Sequence, residues 1–183
     1  YNAIIDDELL NPAGIYKERL SQSALVAEMN TVSDEEAAAV RTWLDEAGMT
    51  FHVDNDGDWK ENLTDSQLTS QFKMYIAALR IADDFGADAV GIQYQQGLKD
   101  LVPASDLAEG LFNSACRPEG NGDTVACATE ADQGNAVPME MLKRLLAAKG
   151  LHQAVMFHDV RWGAMHDGRF LWLLLNSGSC GAY

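Results

Sequence analysis

The sequence is short of cysteine, proline, basic residues and long hydrophobic runs: among 183 residues there are 3 Cys, 4 Pro and 13 Lys plus Arg against 28 Asp plus Glu. Cys116, Cys127 and Cys180 are odd in number and show no CxxC spacing, which argues against both a disulfide framework and a thiolate zinc site. Free thiols in a reducing, cytoplasmic compartment are the expectation. The longest strongly apolar run, Phe170 to Leu175, is far below the ~20 residues a helix needs to span a bilayer. The scarcity of basic residues leaves a net charge of −15. Such a surface repels phosphate backbones, so neither nucleic acid nor an anionic membrane is an expected partner. A signal peptide is not expected.

What remains is ordinary globular material, 47% apolar and 22% charged, long enough to bury a core without staples. The length fits one domain, or one domain with a fragment of another. The chain lacks an initiating Met and stops soon after an apolar strand-like run. These features lead to the expectation of a segment from a longer protein.

The first ninety residues read mainly as helix. Tyr1 to Ile5 resembles the tail of a strand, and Asn11-Pro12-Ala13-Gly14 is a break in regular structure. A helix over 17–30 is expected with Leu20, Ala24 and Ala27 inward. Ser33-Asp34-Glu35-Glu36 is a capping box, and Gly48 closes the helix it starts. Leu68, Phe72, Tyr75, Ile76 and Leu79 recur at helical spacing between Ser66 and Phe85, with Gly86 as the stop. Short apolar strands then alternate with helices. Ala89 to Ile92 runs into Gln93, Thr124 to Ala128 runs into Glu130, and Val155 to Phe157 runs into His158-Asp159. Val137 to Lys149 is the clearest intervening helix. This alternation predicts an α/β fold, a three-layer α/β/α domain around a mainly parallel sheet, with strands at 89–92, 124–129 and 153–158.

Several local motifs fail on chemistry. If Gly57 were the sixth residue of a calcium loop, positions one and twelve would be His52 and Leu63, where oxygen ligands are needed. Gly120-Asn121-Gly122 precedes a strand instead of coming after one, so it is no dinucleotide fingerprint. Gly178-Ser179-Cys180-Gly181 lacks the spacing of a nucleophile elbow.

The constellation at the strand ends is more informative. Ligands of open parallel sheets bind beyond the carboxyl ends of the strands, where loops and helix N-termini converge. Gln93, Glu130 and Asp159 are expected at that edge. Two carboxylates and an amide suit a hard divalent cation with a hydroxylated ligand, magnesium or manganese rather than zinc. The plainer alternative is that Glu130 caps the next helix and Asp159 pairs with Arg161. His158 faces away from Asp159 on a strand, and His166 lies beside Asp167 in a loop.

These stretches resemble the L-fucose isomerase family, which includes D-arabinose isomerases and is related to L-arabinose isomerase. The resemblance rests on Gly91-Ile92-Gln93 with Gln95, on Leu111-Phe112-Asn113-Ser114, and on Cys127-Ala128-Thr129-Glu130-Ala131-Asp132. Phe157-His158-Asp159-Val160-Arg161 and Asn176-Ser177-Gly178-Ser179-Cys180 come after them in the family's order. The first ninety residues match only loosely. The resemblance implies that Glu130 and Asp159 bind Mn²⁺, or another hard divalent cation, and serve in proton transfer. It implies that Gln93 and Ser177 contact a monosaccharide substrate, and that a histidine ligand comes from a further C-terminal domain. It places residues 1–163 in the middle α/β domain and 164–183 at the start of the C-terminal one. A homo-oligomer, a hexamer in the family, is implied by the same resemblance.

The implied reaction is aldose–ketose isomerisation through an enediol, in which a cation polarises the carbonyl and carboxylates move protons. The isolated segment is expected to be inactive. The alternatives are a non-catalytic sugar-binding or scaffold domain of the same fold, or another metal-dependent sugar enzyme such as an aldolase or epimerase.

Overall fold

Local capping chemistry starts most of the helices. The computed structural model describes residues 6–53, 63–95, 97–121, 125–156, 158–176 and 180–181. The strand tail expected at 1–5, Gly57 of the rejected calcium loop and Ser177 lie outside the described residues. A short helix α1 (Asp7–Leu10) opens the chain. Helix α2 spans Gln22–Met29, later than its pattern predicts, because the Ser21 hydroxyl accepts from the Ala24 amide and fixes the start there. In consequence Leu20 and Ala27 are exposed, and Leu25, Val26 and Met29 face inward instead.

Helix α3 (Asp34–Glu46) begins with the expected capping box: Ser33 Oγ accepts from the Glu36 amide at 3.2 Å and Glu36 Oε2 accepts from the Ser33 amide at 2.9 Å. Helix α4 (Asp65–Phe85) repeats the device with Thr64 and Gln67, and ends on Gly86 in the left-handed region at φ 61°. Leu68, Phe72 and Tyr75 on α4 are buried, and Ile76 and Leu79 pack against the same cluster. One apolar stripe therefore joins α2, α3 and α4 into the main core.

Besides two single 3₁₀ turns, Asn11–Ala13 and Leu98–Asp100, the remaining elements among the described residues are β1 (Ala89–Ile92), α5 (Asp106–Asn113), β2 (Cys116–Arg117), β3 (Gly120–Asn121), β4 (Ala126–Thr129), α6 (Gln133–Ala147), β5 (Asp159–His166) and β6 (Arg169–Leu175). Strands β1 and β4 pair in parallel, Ala89 opposite Ala126 through Ile92 opposite Thr129. Alternation along these strands splits the core. Val90, Ile92 and Cys127 join the cluster of α4 and α5, whereas Ala89 and Ala126 pack with Met139 and Leu146 of α6. Helices cover both faces, which makes the domain a three-layer α/β/α unit around a small parallel sheet.

One expectation about the C-terminal third needs correction. Residues 153–156 and 158 are not a strand; Val155 is buried against Ala126 and Met139, so the apolar run serves packing and not pairing. Strand structure begins instead at Asp159, and β5 pairs antiparallel with β6 in a separate two-stranded sheet. Residues 163 and 164, between which the domain boundary is expected, both belong to β5. Among the described residues no helix is long and apolar enough to cross a membrane, and the three cysteines are free.

Candidate active site

The parallel pair β1–β4 ends in two segments that cross-link each other. Beyond β1, the Gln93 side-chain amide donates to the Glu130 carbonyl at 3.3 Å, and the Gln95 backbone amide donates to Glu130 Oε2 at 3.3 Å. Beyond β4, Glu130 and Ala131 both take positive φ, 54° and 55°. Left-handed backbone at consecutive non-glycine residues is uncommon and costs energy that surrounding contacts must offset. The neighbouring strand permits it: a Cβ on Gly91 would lie 2.7 Å from Ala131 Cα, so only glycine lets the turn fold back over β1.

Helix α6 then starts on Asp132, whose Oδ1 accepts from the Asn135 amide at 3.2 Å and whose Oδ2 accepts from the Asn135 side chain at 2.9 Å. The capping role that the plainer reading gave to Glu130 therefore belongs to Asp132. From α2, Gln22 donates its side-chain amide to the Gln93 carbonyl and ties the end of β1 to the helical core. Gln93 Oε1 is buried and accepts no hydrogen bond among the described residues.

A second carboxyl lies under this edge. Helix α5 is fastened to β4 by Asn113, whose side chain accepts from the Cys127 amide at 2.8 Å and donates to the Cys127 carbonyl at 2.9 Å. One turn earlier on the same face, Glu109 is fully buried and accepts from the Ser105 hydroxyl at 2.7 Å. Burial pushes the Glu109 carboxyl up from its ordinary 4.5 to about 7, against the lowering by the Thr129 and Ser105 hydroxyls; the nearby charges of Asp106 and Glu130 raise it further. Burial also raises Asp106. The Tyr94 phenol is raised first by desolvation and then by Asp106, Asp100 and Glu130. The sequence pattern overlooked Glu109. Its signal was a carboxyl within the arc of α5 that also carries Ala108, Phe112 and Asn113.

Asp159 comes from another element. It is the first residue of β5, opposite Leu175, and its Oδ2 lies 3.2 Å from Arg161 Nη2. The parallel strand expected to deliver it is absent, since residues 153–156 and 158 form no strand. Gln93 and Glu130 are thus joined by direct contact, Asp159 pairs with Arg161, and Ser177 is outside the described residues. Among the described residues no three His, Cys, Asp or Glu side chains gather as a metal-holding group.

A sequence model described as L-fucose isomerase, second N-terminal domain, matches residues 4–148. No curated protein matches the chain significantly.

Proposed function

Because the chain belongs to the L-fucose isomerase family through that family's second N-terminal domain, we propose that it forms the α/β part of a metal-dependent aldose–ketose isomerase. The observation that carries this reading is Glu130: a carboxylate at the carboxyl edge of a parallel sheet, on a left-handed turn that Gln93, Gln95 and Gly91 support. Backbone held in a sparsely populated conformation beside a ligand-binding edge is a common mark of a functional site.

The donor set suits a hard divalent cation such as Mn²⁺. Glu130 would supply carboxylate oxygens, and the buried Gln93 Oε1, without a partner among the described residues, would be a neutral oxygen donor on the neighbouring strand end. Asp159 is the proposed second carboxylate ligand, and a further protein ligand is expected from the rest of the polypeptide. When bound, the cation supplies Lewis-acid polarisation of the sugar carbonyl.

The chain's own residues divide the remaining work. Glu130 takes the proton from C2 of the open-chain aldose, exchanges it with solvent and delivers a proton to C1, so that the carbonyl moves from C1 to C2 through an enediol. Asp159 serves the accompanying transfer between the two hydroxyl oxygens. Gln93 and Ser177 contact the sugar hydroxyls, and the turn at Glu130 and Ala131 fixes the direction of approach. A monosaccharide substrate, a homo-oligomeric assembly and a cytoplasmic location complete the proposal.

A second reading, a sugar-binding or scaffold domain without chemistry, draws on the ion pair between Asp159 and Arg161. The two are separated by incubating the full-length protein with Mn²⁺ and a panel of aldoses in deuterated water. The isomerase reading expects conversion to ketose with deuterium at C1. Sugar binding without conversion or exchange would support the non-catalytic reading.

A further inference from the structure

Among the described residues Glu109 is the one fully buried carboxyl, and the division of work above leaves it without a task. Its Oε1 accepts from the Ser105 hydroxyl at 2.7 Å, while its Oε2 has no hydrogen-bond partner among the described residues. The charged groups acting on it are Asp106 of its own helix and Glu130 beyond β4, and it acts in turn on the buried Cys127 thiol. None of these is basic. A buried carboxyl that no cation compensates costs stability, and an apolar side chain of similar volume would serve the core better. Such groups concentrate at functional sites.

The seam between α5 and β4 gives this carboxyl its place. Asn113 clasps the backbone of Cys127 at 2.9 and 2.8 Å, and the Phe112 carbonyl accepts from the Val125 amide at 3.1 Å. The C-terminal end of α5 therefore lies at the start of β4, and the helix runs back along the strand. Glu109 comes four residues before Asn113 on one face of α5, a rise of about 6 Å. Thr129 comes two residues after Cys127 on one face of β4, a rise of about 6.6 Å. The spacings match, which brings Glu109 beside Thr129, the hydroxyl of β4 that acts on its carboxyl. Thr129 is buried and forms the foot of the left-handed turn. Its carbonyl accepts from the Asp132 amide at 3.1 Å and closes the chain around Glu130 and Ala131.

We propose that Glu109 is a positioning residue for Glu130: as a neutral acid it donates the proton on Oε2 to the Thr129 hydroxyl and so holds the turn that aims the proton-transferring carboxylate. A neutral donor fits this place, because a second carboxylate charge beside Glu130 would be repelled with no cation to offset it. Burial, which pushes the Glu109 carboxyl up to about 7, acts in the same direction. Its effect on turnover rests on the isomerase reading; its hold on the turn does not.

Amide hydrogen exchange of the 183-residue chain, followed by NMR at about pH 6, tests that hold. Glu109→Leu keeps the volume and removes the donor, and Thr129→Val keeps the shape and removes the acceptor. Each should speed exchange of the Asp132 amide by roughly tenfold and shift the Glu130 and Ala131 amide signals. The Cys127 amide, held by Asn113, should exchange as in wild type. The double variant should be no faster than either single one, the mark of a shared contact. Glu109→Gln, whose amide group replaces the O–H donor, should restore wild-type exchange. In the full-length protein with saturating Mn²⁺ and L-fucose or D-arabinose, Glu109→Leu and Thr129→Val should lower kcat by roughly 10–100-fold with KM little changed, and Glu109→Gln should recover most of the loss. Wild-type exchange at Asp132 in both apolar variants would overturn the proposal. So would additive effects in the double variant, equal damage from glutamine and leucine, or faster exchange that extends to Cys127. A full-length wild type that converts neither aldose would count against the isomerase reading, while the exchange rates would still decide whether Glu109 holds the turn.

Discussion

Glu109→Gln should remove a pH dependence of stability that the wild-type chain shows between about pH 4.5 and 7. The carboxyl is fully buried, and burial raises it from 4.5 to about 7. A group that binds its proton more tightly when folded favours the folded state at low pH. Its contribution is complete below 4.5, is lost progressively as the pH rises, and is gone above 7. A shift of this size corresponds to ~3 kcal/mol across that window. Glutamine keeps the shape and the bond to Ser105 but carries no titrating proton. Urea unfolding monitored by circular dichroism at a series of pH values measures the difference directly. Wild type should lose stability relative to the variant as pH rises, and the two curves should run parallel above about 7. Asp106, also raised by burial, is present in both proteins, so the difference reports Glu109 and its coupling to Asp106. Parallel curves throughout the window would refute the reasoning and mean that Glu109 is solvated or paired.

Asn113→Ala deletes two buried hydrogen bonds to Cys127 and leaves the strand's amide and carbonyl unpartnered, an expected loss of about 2–4 kcal/mol in denaturant unfolding. Gly91→Ala places a methyl against Ala131; it should cost about 1–3 kcal/mol and displace the Glu130 turn, seen as changed amide chemical shifts at residues 129–132.

The helical half of the fold was legible because its signals are local. Ser33 with Glu36 and Gly86 act within a turn of their own helix, and the stripe from Leu68 to Leu79 repeats at the helical period. The same locality set the limit at residues 153–158. A short apolar run has no periodicity that separates a paired strand from a packed coil, and Val155 satisfies burial against Ala126 and Met139 without a ladder. The start of α2 moved because Ser21 competes for the amide of Ala24, a capping choice that the inward pattern of Leu20 and Ala24 obscured. At the site, Gln93 and Glu130 were readable as strand-end residues. The left-handed turn was not, since neither Glu130 nor Ala131 is a residue type that favours it. It depends on Gly91 in another strand. Glu109 depends likewise on how α5 seats against β4, a tertiary fact that the identity of a glutamate does not carry.

Glu130 is, on this account, a proton-transferring carboxylate and not a structural one. The direct measurement is ketose formation by the full-length Glu130→Gln variant, with Mn²⁺ saturating and folding verified by circular dichroism. The amide keeps the Gln95 contact and the shape of the turn but cannot accept a carbon-bound proton. Turnover should fall by roughly 10²–10⁴-fold, the range that a general base contributes, with the fold unchanged. A folded variant turning over at near wild-type rate would contradict the account.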